Sequence, residues 1–157
     1  MSIIPVLGID PTKTFSSTNN DGFRLGQLGA VIGEPTKLYK YVKNKSLATT
    51  MEAGDVCYYL KLFDEYQGNN VTTDVSMSDG IGAGVAQATV AYNAHGWIQI
   101  RGPATLSTAL TAGADGDPLT PAGAGDKTLD VAASVTDHIC AIAGDISDKE
   151  IICMFPY

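Results

Sequence analysis

The side chains of this sequence best suited to chemistry are three cysteines and two histidines, and three of them gather near its end. If residues 138–144 and 149–155 form a hairpin with Asp145–Asp148 as its loop, Ala143 pairs with Glu150. Cys140 then falls opposite Cys153, and His138 shares their face. Two thiolates and an imidazole are three ligands of a zinc site, and Cys57 is an available fourth. The spacing, however, has no C-x-x-C or H-x-x-x-H element, and burial as a small apolar side chain is the ordinary state of a free cysteine. A disulfide between Cys140 and Cys153 needs a Cβ separation of about 3.5–4.5 Å, which sequence cannot supply. The expectation is no metal and no cofactor.

A second group is YNAHGWIQIRGPATL (92–106), which places His95, the only tryptophan (Trp97) and Arg101 within seven positions. A general base needs an orienting partner, and no Asp or Glu lies near His95 in sequence. Pairing 84–92 with 96–101 around Asn93, Ala94 and His95 leaves His95 in a solvated turn. It sets Tyr92 opposite Trp97, Val90 opposite Gln99 and Ala88 opposite Arg101. Ile98 and Ile100 then point to the core, and Tyr92, Trp97, Gln99 and Arg101 form a stripe on the other face. An aromatic beside a guanidinium is a common composition for a protein–protein contact.

Two further patterns fail as sites. Gly80, Gly82 and Gly84 resemble a phosphate-binding loop, but no helix pattern follows, so a close backbone approach within a strand is expected. Asp115, Asp117, Asp126 and Asp130 lack the alternate donors and closing Glu of a calcium loop and read as turn residues. No serine sits in a G-x-S-x-G elbow, and no carboxylate pair suggests acid–base work. The expectation is that the chain is not an enzyme.

The elements that must carry these residues are short. LYKYV (38–42) alternates, with Leu38, Lys40 and Val42 on one face and Tyr39 and Tyr41 on the other. VCYYLKLF (56–63), GVAQATVAY (84–92), GWIQI (96–100), HICAIAG (138–144) and KEIICMF (149–155) are β-branched or aromatic runs bounded by turn residues. PLT and TLDV are short strands within the Gly/Ala/Asp-rich stretch 111–131. The best helical candidate is 43–55, weakened by adjacent threonines and lacking an apolar stripe. The pattern predicts an all-β fold, a small β-sandwich or barrel. An extended N-terminal arm covers residues 1–22, where Pro5 and Pro11 forbid a continuous helix, and the β-rich domain covers 23–157. Such an arm must be tied to something or be disordered, and a partner subunit is the expected tie. Ile3, Ile4, Val6 and Leu7 are its apolar contact candidates, alongside Tyr92, Trp97, Gln99 and Arg101.

The 157 residues carry a formal net charge of −7. The first fifty, with six basic and three acidic residues, have a net of +3; the rest, with four basic and fourteen acidic, have −10. An acidic main body argues against nucleic acid as principal partner. A mildly basic front could meet an acidic protein surface. The chain has no apolar stretch of roughly 18 residues, so no membrane helix is expected. The N-terminus lacks a secretory signal pattern, which places synthesis in a cytoplasm with reduced thiols.

The order GVAQATVAYNAHGWIQIRGPATL, then Gly-Asp-Pro-Leu (116–119), then a β-rich tail, resembles the capsid decoration, or cement, proteins of tailed bacteriophages. The upstream LYKYVKNK and AGDVCYY segments resemble them as well. The similarity covers roughly residues 23–157, is most specific in the GVAQ to GPATL block, and excludes the arm. It implies a virion structural protein on the outer capsid surface, often trimeric. Such a protein bridges major capsid subunits and resists the pressure of packaged DNA, and the family offers no catalytic residues to carry over. The expected partners are therefore the major capsid protein and further copies of the chain, as a homotrimer. Two other readings stay open: a trimeric head- or tail-fibre module binding a host receptor through the Tyr39/Tyr41 face, and a small enzyme or metal protein using His138, Cys140 and Cys153.

Overall fold

In the computed structural model, residues 7–16, 22–47, 50–61 and 69–157 are described. Eleven strands lie among them: β1 (Leu7–Gly8), β2 (Leu28–Ala30), β3 (Leu38–Asn44), β4 (Val56–Leu60), β5 (Asn70–Thr72), β6 (Ser78–Ala86), β7 (His95–Thr105), β8 (Pro118–Thr120), β9 (Asp130–Val131), β10 (Ala141–Ala143) and β11 (Glu150–Met154). The one helical turn described is a 3-10 turn over Val75–Met77, capped by Asp74. The fold is all-β, as the short alternating runs predict.

Five strands close a barrel in the order β3–β5–β4–β6–β7 and back to β3. The β3–β5 contact is parallel, with Lys43 beside Asn70 and Asn44 beside Val71; the other four contacts are antiparallel. Closure leaves no free edge within the ring, which removes the pairing hazard of an open sheet. β7 is the longest strand because it serves two sheets. On one side it pairs with β3 from Lys43–His95 to Leu38–Arg101. On the other it pairs with β6 at Ile98 and Gln99, then with β11 from Arg101 to Thr105. β11 continues through β10 and β8 to β9, all antiparallel, as an outer sheet.

Where β7 passes from one partner to the next, its extended backbone is interrupted at one residue. Gly102 takes φ +87°, a left-handed conformation open to glycine at little cost. A Cβ at that position would stand 2.5 Å from the Thr36 carbonyl oxygen. One residue type thus meets both the conformation and the close approach.

The main core is continuous between barrel and outer sheet. Val42, Ile98 and Ile100 of the barrel join Leu119, Ile151 and Phe155 of the outer layer in one buried cluster. β6 lies directly against that layer, since a Cβ on Gly82 would sit 2.8 Å from Cys140 Sγ and 2.9 Å from Phe155. This is the close approach expected of the glycine run. The loop connecting the layers is pinned by polar contacts. Buried Asp55 accepts from Ser107 Oγ and the Glu52 amide and pairs with Lys127 Nζ at 3.1 Å. The Tyr58 hydroxyl donates to the Thr128 carbonyl and accepts from the Thr128 amide.

The expected helix over 43–55 is absent from its described residues. Lys43 and Asn44 end β3. Asn44 Nδ2 donates to the Val90 carbonyl at 2.7 Å while its Oδ1 accepts from the Ser46 amide at 2.8 Å, so the side chain organises a turn. Met51 bridges Val90.

The hairpin register also differs from expectation. Val85 pairs with Gln99 and Ala86 with Ile98, and residues 87–94 leave the sheet as a loop. Val90 is drawn off by Met51, and Asn93 turns the chain with φ 64°. In the C-terminal hairpin Ala141 pairs with Cys153, one residue from the expected pairing. Cys140 therefore lies opposite Met154 and accepts from the Met154 amide.

A second, aromatic cluster covers the outside of β3 and β7. Trp97 packs against Tyr41 at 5.0 Å between ring centroids and edge-on to Phe23 at 5.2 Å. Phe15 closes over Phe23 and Tyr41 at 5.6 and 5.8 Å. The described part of the arm is thus tied to its own domain, and the expected partner-subunit tie is not needed there. β1 runs parallel to β2, the Ile9 amide donates to Ala30, and Phe15 and His95 exchange backbone hydrogen bonds at 2.8 and 2.9 Å.

Trp97→Ala should lower unfolding free energy by about 3–5 kcal/mol, the cost of emptying a buried aromatic site. Urea denaturation checks this, and limited proteolysis should show faster cleavage N-terminal to β2. A surface tryptophan would give neither result.

Candidate interaction surface

The expected contact stripe separates into different environments. The alternation is as expected: Ile98 and Ile100 face the core, and Trp97 and Gln99 face the other side. That other side is covered by the chain itself, so Trp97 is 1% and Gln99 2% exposed. Trp97 is therefore closed to a partner, and Gln99 forms no part of an exposed stripe. Tyr92 is on the 87–94 loop, half-exposed, with Lys45 Nζ 5.7 Å from its ring centroid. Arg101 is part-exposed and stacks its guanidinium on Tyr157 at 4.9 Å. Ile3, Ile4 and Val6 lie outside the described residues, and Leu7 contributes backbone pairing with Gly29. Tyr39 and Tyr41, the receptor platform of the fibre reading, are also buried. The Tyr39 hydroxyl donates to Glu34 at 3.2 Å, and burial with that carboxylate holds its pKa up at about 12.

His95 is not a solvated turn residue. It opens β7, lies buried, and stacks on Tyr41 at 5.7 Å with planes 9° apart. Its Nδ1 is 3.4 Å from the Ser16 carbonyl. Burial lowers its pKa, the Ser16 contact partly opposes this, and Lys43 adds to the lowering. Lys40 is likewise buried, with Nζ donating to the Tyr59 hydroxyl at 2.7 Å, and burial lowers its pKa too.

The cysteines are free and buried, whereas His138 is exposed. Burial raises all three thiol pKa values: Cys57 strongly, and Cys140 and Cys153 to about 12. The four aspartates of 115–130 serve as turn acceptors: Asp115 for the Ile146 amide, Asp117 for Ala114, Asp126 for Val75 and Asp130 for Val131. Among the described residues no three His, Cys, Asp or Glu side chains are placed to share a metal ion.

An apolar row lies elsewhere, on the open face of the outer sheet. Register aligns Pro103 of β7 with Ile152 of β11, Ile152 with Ile142 of β10, and Ile142 with Pro118 of β8. One apolar row therefore crosses four strands. Ile152 is 43% and Met154 38% exposed, Pro103 is exposed, and Ile142 and Pro118 are half-buried. Alternation explains the face: Ile151, Cys153 and Phe155 are buried, while Glu150, Ile152 and Met154 point out. The sequence signal was present in EIICMF, which is apolar at both parities after its first residue. A strand with one solvated face ordinarily alternates apolar and polar.

Two solution tests follow. Ellman's reagent should find no fast-reacting thiol in the folded protein and all three in denaturant. For His95, the folded pKa lies below the unfolded one, so the unfolded state binds the proton first as pH falls. Its contribution is present above the unfolded value near 6.5 and is lost as pH falls through the folded value. The Tm should hold above about pH 6.5 and drop as the pH falls below it, and His95→Gln should flatten that drop.

No family model matches this chain, and no curated protein or solved structure matches it either.

Proposed function

We propose that this chain is a structural virion protein that binds the outside of an assembled phage capsid, stabilises contacts between major capsid subunits, and acts as a homotrimer. In this reading it has no enzymatic role and binds neither nucleic acid nor membrane. The observation that carries the proposal is the apolar row Pro103–Ile152–Ile142–Pro118 on an otherwise acidic domain. An apolar row on one sheet face, exposed at Pro103 and Ile152 and partly exposed at Ile142 and Pro118, fits a protein contact surface. A net charge of −10 over residues 51–157 disfavours phosphate backbones as the alternative partner. The resemblance of residues 84–106 to cement proteins supports the same role. Those residues form the end of β6, its loop and β7, so the resemblance falls on the strand that joins the two layers.

The mechanical argument is one of repeated modest contacts. A trimer presents three copies of the face, and multivalent attachment raises avidity without a strong single contact. A closed barrel behind the face gives it a rigid backing.

Quantitative mass spectrometry of purified particles carrying this chain should find a copy number comparable to the major shell protein. A handful of copies would indicate a fibre module, and absence would reject the virion role. Ile152→Glu should weaken attachment to assembled capsids at least tenfold with an unchanged Tm. Unchanged attachment would reject this face as the contact.

A further inference from the structure

A cavity of about 370 Å³ opens on the outside of the barrel where β6, β7 and β11 meet the turn at Ala53–Gly54. Its lining includes Lys37, Gln87, Gln99, Pro103, Thr105 and Glu150. Gln99 is the unusual member, because a 2% exposed amide ought to have every polar atom satisfied within the chain. Its Nε2 is satisfied, donating to the carbonyls of Arg101 at 3.0 Å and Pro103 at 2.8 Å. Carbonyl oxygens only accept, so the amide cannot be reversed. Its Oε1 takes no hydrogen bond from the chain and is not sealed from solvent.

Gln87 repeats the arrangement. Its Nε2 donates to the Val85 carbonyl at 2.9 Å, which fixes the amide orientation and leaves its Oε1 without a donor. Gln87 lies just past the end of β6, held to β7 by its amide donating to the Trp97 carbonyl at 3.3 Å, and it lines the same cavity as Gln99. Glu150 adds a carboxylate at the rim, opposite Thr105 in the β7–β11 ladder. The cation at the rim, Lys37, lies 3.6 Å from Glu34.

The geometry points to a binding site for a guanidinium group, with Gln99 Oε1 and Gln87 Oε1 as fixed acceptors and Glu150 as the counter-charge. The site offers oriented acceptors. A guanidinium is planar and carries five donors and no acceptor, which suits spread acceptors better than a compact ammonium. Its weakly hydrated plane can lie against the Pro103 ring at the wall. The group can arrive as an arginine side chain of a docked protein or as a small free compound. The chemistry is the same for both, and it stands whether or not the chain is a virion protein.

The test is titration of the ¹⁵N-labelled full chain with agmatine, with the peptide Gly-Arg-Gly, and with Gly-citrulline-Gly as the uncharged control. The side-chain amide signals of Gln87 and Gln99 and the backbone signal of Glu150 should shift together in a saturable way with agmatine, the peptide or both. Saturation by the peptide alone identifies a protein side chain as the source, and saturation by agmatine alone identifies a small compound. The citrulline peptide should bind at least tenfold more weakly. Gln87→Leu and Glu150→Gln should each weaken binding at least fivefold with an unchanged Tm. The proposal is overturned by unsaturated or absent shifts at these residues, by equal binding of the citrulline peptide, or by full binding in both variants.

Discussion

Everything in this fold hangs on the course of β7. A single strand is paired by β3 along one edge and by β6 and then β11 along the other, so it is at once a wall of the barrel and the first strand of the outer sheet. Where the partner changes, the backbone leaves the extended conformation at Gly102, and Gln99 Nε2 bonds the carbonyls of Arg101 and Pro103. Gln99 is thereby immobilised in a buried position with its oxygen still uncommitted. The same device that joins the layers creates the polar cavity beside them.

The strand also decides which surfaces are free. Its outer face before Gly102 is occupied by the aromatic cluster of Phe15, Phe23, Tyr41 and Trp97, so the described arm is part of the domain's own packing. Its outer face after Gly102 is not covered, and there Pro103 begins the apolar row that continues through β11 and β10 to β8. Burial and exposure along one strand therefore change at the point where its partner changes. The interaction surface is a property of the outer sheet, and the barrel gives it support.

Much of this was legible in the sequence because alternation is a local property. Leu38–Val42, Gly96–Ile100 and Glu150–Met154 declare themselves as strands, and the split of Ile98 and Ile100 from Trp97 and Gln99 follows from pleating alone. What lies over a face is not local. Phe15 and Phe23 cover Trp97 from far away in sequence, and no alternation pattern announces that. Register was lost for a related reason: Ala88–Tyr92 reads as a strand, but Met51 captures Val90 and the ladder stops at Ala86. The segment after β3 looks helical only until the Asn44 side chain is seen bonding both Val90 and Ser46. The cavity was invisible because the free oxygens of Gln87 and Gln99 depend on which backbone carbonyls their nitrogens reach.

The parallel contact between β3 and β5 has a consequence for the order in which the chain can fold. β3 is an early strand, and its extended neighbours along the barrel arrive late: β5 near residue 70 and β7 near residue 95. Only the short antiparallel contact with β2 is sequentially close. During synthesis, Tyr39, Tyr41 and Val42 leave the ribosome well before the strands that will bury them. Folding must then wait for distant pairings, which are slow to close and leave apolar strand edges open meanwhile. The ring that later has no edge to offer is, for most of its translation, a strand with one edge largely bare and the other incompletely paired.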